Sequence, residues 1–419
     1  MKRFTHGAER MSASNMIIGT KRKKGKGDDF ISVDAMHHPK PPSNTVSLLE
    51  VEDNVPCPWF RKNGYKNKNI FLRLHEEILD FVHFVSPTEE EKENRRVLKR
   101  DVDAVVAELW PDAQVVVFGS TRTEMYLPTS DVDMVILGCP EACMTYHQLA
   151  EKLVEKNLVS YIEVVDGAKI PIVKFCHSGT NLQCDIAFNN SGGLATADLI
   201  VSYMQQFPAF RPLVLVLKYF LHQRSLNETF QGGVGSFLLQ IMVVSFLQNQ
   251  AKENVTEFVN CRMYNLGHLV VGFFHLYGSK FNYEHVGISV REGGYYFSKY
   301  SRDWQQKRGF LLAVENPVET HLDVGRNSYE IRRVTRVFEY AFRALRSEIA
   351  EHGSHQKGFT KRNNSILMHL INPDDTLLAR LPPPSLGYTP IDPKAAPAFA
   401  IGTSSKNRKD KKKKKSRRN

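Results

Sequence analysis

Three acids and one tight turn mark where this chain could do chemistry. Val117-Phe118-Gly119-Ser120 is followed, eleven residues after Ser120, by Asp131-Val132-Asp133 inside an apolar stretch. The segment Gln114 to Phe118 reads as a buried strand, and at Gly119-Ser120 the backbone must turn tightly enough to bring its N–H groups against a phosphate. A polar loop containing Pro128 then leads into a second strand, Asp131 to Leu137. Side chains alternate faces along a strand, so Asp131 and Asp133 should project to the same side. Two carboxylates on one face of an apolar strand repel and lose hydration unless cations sit between them. Magnesium suits such a site because it prefers oxygen ligands and is held by one or two carboxylates plus substrate phosphates. Two ions about 3.5–4 Å apart can clamp the attacking and leaving oxygens of an in-line phosphoryl displacement. Asp185, in Leu182-Gln183-Cys184-Asp185-Ile186-Ala187-Phe188, is the candidate third acid, placed to activate the attacking hydroxyl. Taken alone, Asp185 reads equally well as a strand-end carboxylate. The order strand, turn, loop, strand around the other residues is what makes the pattern specific.

The elements that must position these residues are legible around them. Ser86-Pro87-Thr88-Glu89-Glu90 reads as a helix start, with a hydroxyl cap and acids in the first turn. Val97, Val102, Val105, Val106 and Leu109 then give the helix an apolar stripe that leads to the first strand. Tyr161 to Val165 and Ile170 to Cys176, split by Asp166-Gly167, read as a hairpin adding strands to the same sheet. From Leu194 to Leu247 the pattern is helical and strongly apolar, and further helices are expected within Asn260 to Tyr277 and Arg332 to Arg346. Residues 1–55 and the stretch from about 375 to 419 read as tails, the second proline-rich before a lysine run.

At these residues the chain resembles the DNA polymerase β-like nucleotidyltransferases, and within them the Trf-type noncanonical poly(A) polymerases of nuclear RNA surveillance. The resemblance runs from about Pro58-Trp59-Phe60 through Leu109-Trp110-Pro111 and Tyr126-Leu127-Pro128-Thr129-Ser130-Asp131 to roughly Leu370, and includes Asp323-Val324-Gly325-Arg326-Asn327-Ser328-Tyr329. It implies an α/β + α architecture: a mixed-sheet nucleotidyltransferase domain over residues 98–192, packed on a mostly helical, PAP-associated central domain formed by 56–97 and 193–372. Residues 1–55 would be a disordered basic tail and 373–419 a proline-rich, then Lys/Arg-rich one. The nucleotide would lie in the cleft between the domains.

Carried over residue by residue, the resemblance implies that Asp131, Asp133 and Asp185 hold two Mg²⁺ or Mn²⁺ ions, with ATP as substrate. Gly119 and Ser120 would contact the triphosphate and Asn189 the ribose. Lys218, on an otherwise apolar helix, would reach the β- and γ-phosphates, which suits a point charge. By itself it reads as an ordinary snorkelling lysine. Ser236 would sit at the triphosphate and Phe237, where relatives usually carry Tyr, at the base. The segment Glu315 to Arg326, with Asp323 and Arg326, resembles the loop that recognises the base. Here the sequence departs from the pattern. Leu322 stands where uridylyl-transferring relatives carry His and many adenylyl-transferring ones Asn, and Asn316 replaces the usual Asp before Pro317. Leucine cannot hydrogen-bond a base edge, and His321 is the adjacent candidate. The resemblance favours adenylyl transfer to an RNA 3′ end, leaving terminal uridylyl transfer and a catalytically inactive RNA or helicase scaffold as rivals. It also implies a zinc-knuckle RNA-binding protein and an RNA helicase as partners in a TRAMP-like complex, and a place in the nucleoplasm or nucleolus.

Charge sharpens this picture. Residues 1–27 hold eight Lys/Arg against one acid and 406–419 ten against one, so the ends contribute seven and nine positive charges. Set against +11 overall, that leaves the body between them about five negative. A slightly acidic body has little general attraction for RNA, whereas lysine-rich segments supply sequence-independent phosphate contacts or nuclear import signals. If six to ten phosphates were paired, affinity would fall on the order of a thousandfold or more between 50 and 200 mM salt. No charged segment followed by an apolar core opens the chain, so an intracellular protein is expected. The longest apolar run, Phe237 to Leu247, is too short to span a bilayer. Six scattered cysteines in an intracellular chain argue against disulfides, and Cys139, Cys143 and His147 form too poor a zinc pattern to be more than packing residues.

Overall fold

A computed structural model describes residues 19–20, 57–61, 64–140, 145–167, 170–190, 192–253, 265–304, 309–354 and 365–380. Apart from Gly19 and Thr20, the expected N-terminal tail lies outside the described residues, as do Cys143, Cys261 and the terminal lysine run.

The helix expected after Ser86 starts at Thr88, whose hydroxyl accepts from the Glu91 N–H while the Glu91 carboxylate accepts from the Thr88 N–H, a reciprocal capping box. This helix, α2 (Glu89–Leu109), follows α1 (Ile70–Val85). It delivers the chain into a six-stranded sheet of order β1-β4-β5-β6-β3-β2. Its strands are β1 (Gly19–Thr20), β2 (Gln114–Val117), β3 (Val132–Leu137), β4 (Val159–Val165), β5 (Ile172–His177) and β6 (Gln183–Phe188). The expected hairpin is the antiparallel β4–β5 pair; β3 and β6 run parallel at the centre. Gly119-Ser120 opens α3 (Gly119–Arg122), a single helical turn, so the expected tight turn is a short helix entered through a left-handed glycine (φ +61°).

Strand alternation sorts the sheet into two faces. Val132, Met134 and Ile136 of β3, Val173 and Phe175 of β5, and Cys184 and Ile186 of β6 join Leu98, Val102 and Val106 of α2 and Leu149 and Leu153 of α4 (Thr145–Glu155) in one apolar cluster. The residues between them, Asp133, Lys174 and Asp185, therefore fall on the opposite face.

A second cluster is built by α1, α5 (Gly192–Gln206), α6 (Phe210–His222), α7 (Ser236–Glu253), α8 (Leu266–His275) and α9 (Ile331–Ser354). The mostly helical part also holds a three-stranded sheet of order β8-β7-β9, from β7 (Val286–Ser289), β8 (Tyr295–Ser298) and β9 (Ala313–Val314), which the sequence reading did not anticipate. Its strands are two to four residues long, too short for a periodic signal. The C-terminal boundary also differs from expectation. Residues 373–380 fold back as α10 (Asp375–Ala379), with Leu377 in the helical core and Arg380 ion-paired to Glu91. One apolar residue and one arginine anchor this strap, which a composition-based reading takes for the start of a tail.

Candidate active site

The centre of the sheet places acids side by side. In the parallel β3–β6 pair Asp133 is in register with Asp185, and in the antiparallel β5–β6 pair Asp185 is in register with Lys174. Three charged residues thus form a row across the open face of three adjacent strands. Asp131 lies one residue before β3 and is exposed, at the mouth of the strand instead of within it. Asp133 is largely withdrawn from water. Burial first, then the Asp185 and Asp131 charges, push its pKa up to about 6. Burial also raises the Asp185 pKa, opposed by Lys174, whose Nζ donates to Asp185 Oδ2 at 2.6 Å. Burial acts to lower the Lys174 pKa, but the Asp185 partner outweighs it and the value is raised.

The turn before these acids is shaped to them. A Cβ on Gly119 would collide with Asp133 Oδ2, so the left-handed glycine permits both the turn and the approach of the carboxylate. The Phe118 N–H donates to the Asp133 carbonyl at 3.1 Å, locking the turn to β3. The loop leading to Asp131 is held from α2. Arg95, buried, lies 3.7 Å above the Tyr126 ring and donates to the Ser130 carbonyl at 3.1 Å.

The helical part supplies the facing wall. Lys218 on α6 is 7 % exposed. Burial lowers its pKa to about 8, against the pull of Asp133, Asp131 and Glu228. Its Nζ donates to the Met125 carbonyl at 3.2 Å, in the loop between Gly119 and Asp131. Lys218 is thus a buried lysine bonded to the loop that carries the Asp-x-Asp unit and within electrostatic reach of both its acids, unlike a lysine whose ammonium reaches bulk water. Ser236 is exposed at the first position of α7, where helix N–H groups suit an anion. Phe237, next to it, is partly buried against the core.

The remaining candidates are occupied with structure. Asn189, in the left-handed region (φ +48°), accepts from the Gly138 N–H at 2.9 Å and donates to the Cys139 carbonyl at 2.8 Å. Its side-chain amide thus clamps the turn after β3, although the residue also lines an open hollow of about 580 Å³ together with Phe188, Val318 and Glu319. Asp323 Oδ1 accepts from the Val314 and Gly325 N–H groups at 2.9 and 2.8 Å. The 315–326 loop is further tied by Asn316 Oδ1, which accepts from Val318 and Glu319, and by Glu315, buried and ion-paired to Arg302 at 2.9 Å. Asp323 is therefore a loop organiser first. Arg326 and His321 are exposed on that loop, and Leu322 is partly buried.

Sequence reasoning missed Lys174, Arg95 and Glu228. Lys174 sits on an alternating strand, so its face was readable. That it meets Asp185 depends on strand register, which the sequence does not print.

The carboxylate oxygens match the hard-cation chemistry of magnesium or manganese, and a like-charged cluster that raises its own pKa values is one that a cation would relieve. As they stand the acids do not form a closed cage. Among the described residues no group of three His, Cys, Asp or Glu side chains is poised around one point, and Asp185 is turned to Lys174.

Two family models match the chain: the central palm domain of mitochondrial-like poly(A) RNA polymerase over residues 74–205, and Cid1 family poly A polymerase over residues 265–322. The fold and site define a polymerase β-like nucleotidyltransferase. Within that class, the chain belongs to the noncanonical poly(A) RNA polymerase family. It is 36% identical to poly(A) RNA polymerase cid14 of Schizosaccharomyces pombe over 81% of this chain and 49% of that protein. It is 35% identical to the inactive non-canonical poly(A) RNA polymerase protein Trf4-2 of Drosophila melanogaster over 70% of this chain and 73% of the relative. The solved polymerase core of TRAMP, an RNA surveillance complex, superposes with a TM-score of 0.69 at 34% identity, over 76% of this chain and all of that one. A cytoplasmic RNA terminal U-transferase at 22% identity shares the fold, with a TM-score of 0.59 over 71% of this chain and 97% of that one. The chain spans about half or less of the length of the first curated relatives it matches. No described helix is long and apolar enough to cross a membrane.

Proposed function

We propose that this chain is a template-independent RNA 3′-terminal nucleotidyltransferase that adds AMP from ATP in nuclear RNA surveillance. One observation carries the reading: Asp133 and Asp185 in register on adjacent strands, under a glycine that leaves room for the carboxylate, with Lys218 facing them. The family contains a member called inactive, so membership alone does not imply turnover. The complete set of Asp131, Asp133 and Asp185 does favour it, and weighs against an inert scaffold.

Asp131, Asp133 and Asp185 would hold the Mg²⁺ or Mn²⁺ ions, whose role is to neutralise phosphate charge and lower the pKa of the attacking hydroxyl. The 3′-oxygen forms a bond to the α-phosphorus of ATP, the bond between that phosphorus and the β-bridging oxygen breaks, and pyrophosphate leaves. Asp185 orients the hydroxyl and takes its proton, and Lys174 keeps that carboxylate in place. Lys218, with the Ser120 and Ser236 backbone turns, stabilises the charge that builds on the leaving pyrophosphate. Asn189, Phe237 and Arg326 would line ribose and base. The basic ends suit RNA contact and nuclear import. The likeness to the TRAMP polymerase core supports an assembly with a zinc-knuckle RNA-binding protein and a helicase.

Primer extension on oligo(A) with Mg²⁺ or Mn²⁺ and each NTP separately tests this. Extension with ATP is expected; extension with UTP alone would favour the uridylyl reading, which Leu322 keeps open. No extension with any nucleotide, with partners present, would overturn the reading.

A further inference from the structure

Phe230 is the most exposed large apolar side chain among the described residues, at 95 %. It stands on the 227–235 loop between α6, which carries Lys218, and α7, which begins with Ser236 and Phe237. The loop is pinned throughout. Gly232 N–H donates to the Thr229 carbonyl at 3.1 Å, Gly233 to Glu228 at 2.9 Å and Val234 to Leu226 at 2.8 Å. From the turn just before α9, the Glu330 N–H donates to the Gly232 carbonyl at 2.9 Å, and the Tyr329 hydroxyl donates to the carbonyl of Phe230 itself at 2.8 Å. The Tyr329 ring lies where a Cβ on Gly232 would be, yet remains 42 % exposed. A ring held into water by a rigid backbone pays a hydration penalty with no return inside the fold.

Its surroundings say what would cover it. Arg326, Arg332, Arg333 and Arg336 are exposed on either side of Tyr329, and Arg333 is paired to Glu330 at 3.7 Å. The segment 326–336 that Tyr329 and Glu330 tie to the loop thus carries four exposed arginines, and Tyr329 is its one exposed large apolar side chain. The loop also leads directly into Ser236 and Phe237, the first two residues of α7 and candidates for the triphosphate and base. An exposed ring on a loop bonded to an arginine-rich segment suits single-stranded nucleic acid, with bases stacking on the ring and phosphates paired to arginine.

We propose that Phe230, with Arg333 and its neighbouring arginines, is a stacking platform for a base of the RNA primer as it approaches the 3′-end site. This rests on the proposed RNA-extending activity and adds a position for the primer, distinct from Phe237 at the incoming base.

The test uses the full chain, wild type, Phe230→Ala and Phe230→Trp, with a short 5′-labelled oligo(A). Fluorescence anisotropy without nucleotide reads RNA affinity, and primer extension separates the KM for primer from the KM for ATP and from kcat. Phe230→Ala is expected to weaken RNA binding and raise the primer KM about five- to a hundredfold, with the KM for ATP unchanged and Phe230→Trp restoring wild-type values. Unchanged RNA affinity in Phe230→Ala would overturn the proposal, as would a shift confined to the ATP KM. Loss of a protein partner with RNA parameters intact would also overturn it and assign the ring to protein docking. Failure of the wild type to extend any primer would instead strike the activity, since the anisotropy measurement needs no turnover.

Discussion

Carboxylates whose pKa is raised by withdrawal from water occur in two regions of this molecule, in opposite surroundings. In the helical part Glu77 of α1 is 0 % exposed. It accepts from the Trp59 indole N–H at 3.3 Å, the Ser365 hydroxyl, and the Ile366 and Leu367 N–H groups at 2.8 and 3.2 Å. Every donor is neutral, and together they tie the segment before α1 to residues 365–367 after α9. In the sheet, Asp133 has other acids for neighbours, in register or two residues away, and a glycine that only makes room. Burial raises the pKa of both groups. A structural acid is thus surrounded by donors that satisfy it. Asp133 instead has like charges beside it, offset in part by Lys218 and Lys174, which is the pattern of a candidate catalytic acid.

If that contrast is right, the two regions respond oppositely to mutation. Asp133→Asn should cut primer extension on the order of a thousandfold or more, because several kcal/mol of transition-state stabilisation are lost. Thermal unfolding of the metal-free variant should show an unchanged or raised Tm, since a buried like-charge contact is relieved. A lowered Tm would mean that the acid is structural. Glu77→Ala should do the reverse, costing about 3 kcal/mol of stability from stranded buried donors while leaving activity largely intact at temperatures where the fold persists. Denaturant titration alongside primer extension checks both halves.

Lys218 gives a pH test that separates the two kinds of effect. Its folded pKa of about 8 lies below the ordinary 10.5. Between those values the unfolded chain binds the proton and the folded chain does not, so stability should rise with pH across the window, on the order of 3 kcal/mol in total. Activity should fall across the same window as the charge facing the phosphates is lost. Lys218→Met should abolish the stability rise, measured by denaturant midpoints from pH 7.5 to 10.5. The smallest effect belongs to Gly119→Ala. Left-handed backbone in a residue with a Cβ costs about 1–2 kcal/mol, and the methyl displaces the Asp133 carboxylate. A modest drop in Tm is therefore expected with a tenfold or larger loss of kcat; normal kcat would show that the close approach is incidental.

Much of this was readable beforehand. Strand alternation is a local property, so Asp133 and Asp185 could each be placed on a polar face of an apolar strand. Hydroxyl capping at Thr88 follows from chemistry within three residues. The three-stranded sheet and the strap at 373–380 were not readable, because strands of two to four residues and a single anchoring leucine leave no period to detect. Asp323 and Asn189 show another limit. Their resemblance-based roles said nothing of the backbone groups to which their side chains are bonded here.

By itself, the sequence supplied the residues on which the proposed chemistry rests, as types at local spacings: a glycine turn, two aspartates one residue apart and the apolar strands that carry them. Tertiary structure alone decided which partners meet. The register of β5 against β6 brings Lys174 onto Asp185, the packing of α6 against the 125–127 loop turns Lys218 inward, and the Tyr329 hydroxyl holds the Phe230 loop. The last two contacts join residues 93 and 99 apart in the chain and the first lies across a hairpin, and all are fixed by packing and strand pairing, to which nearest-neighbour propensities carry no information.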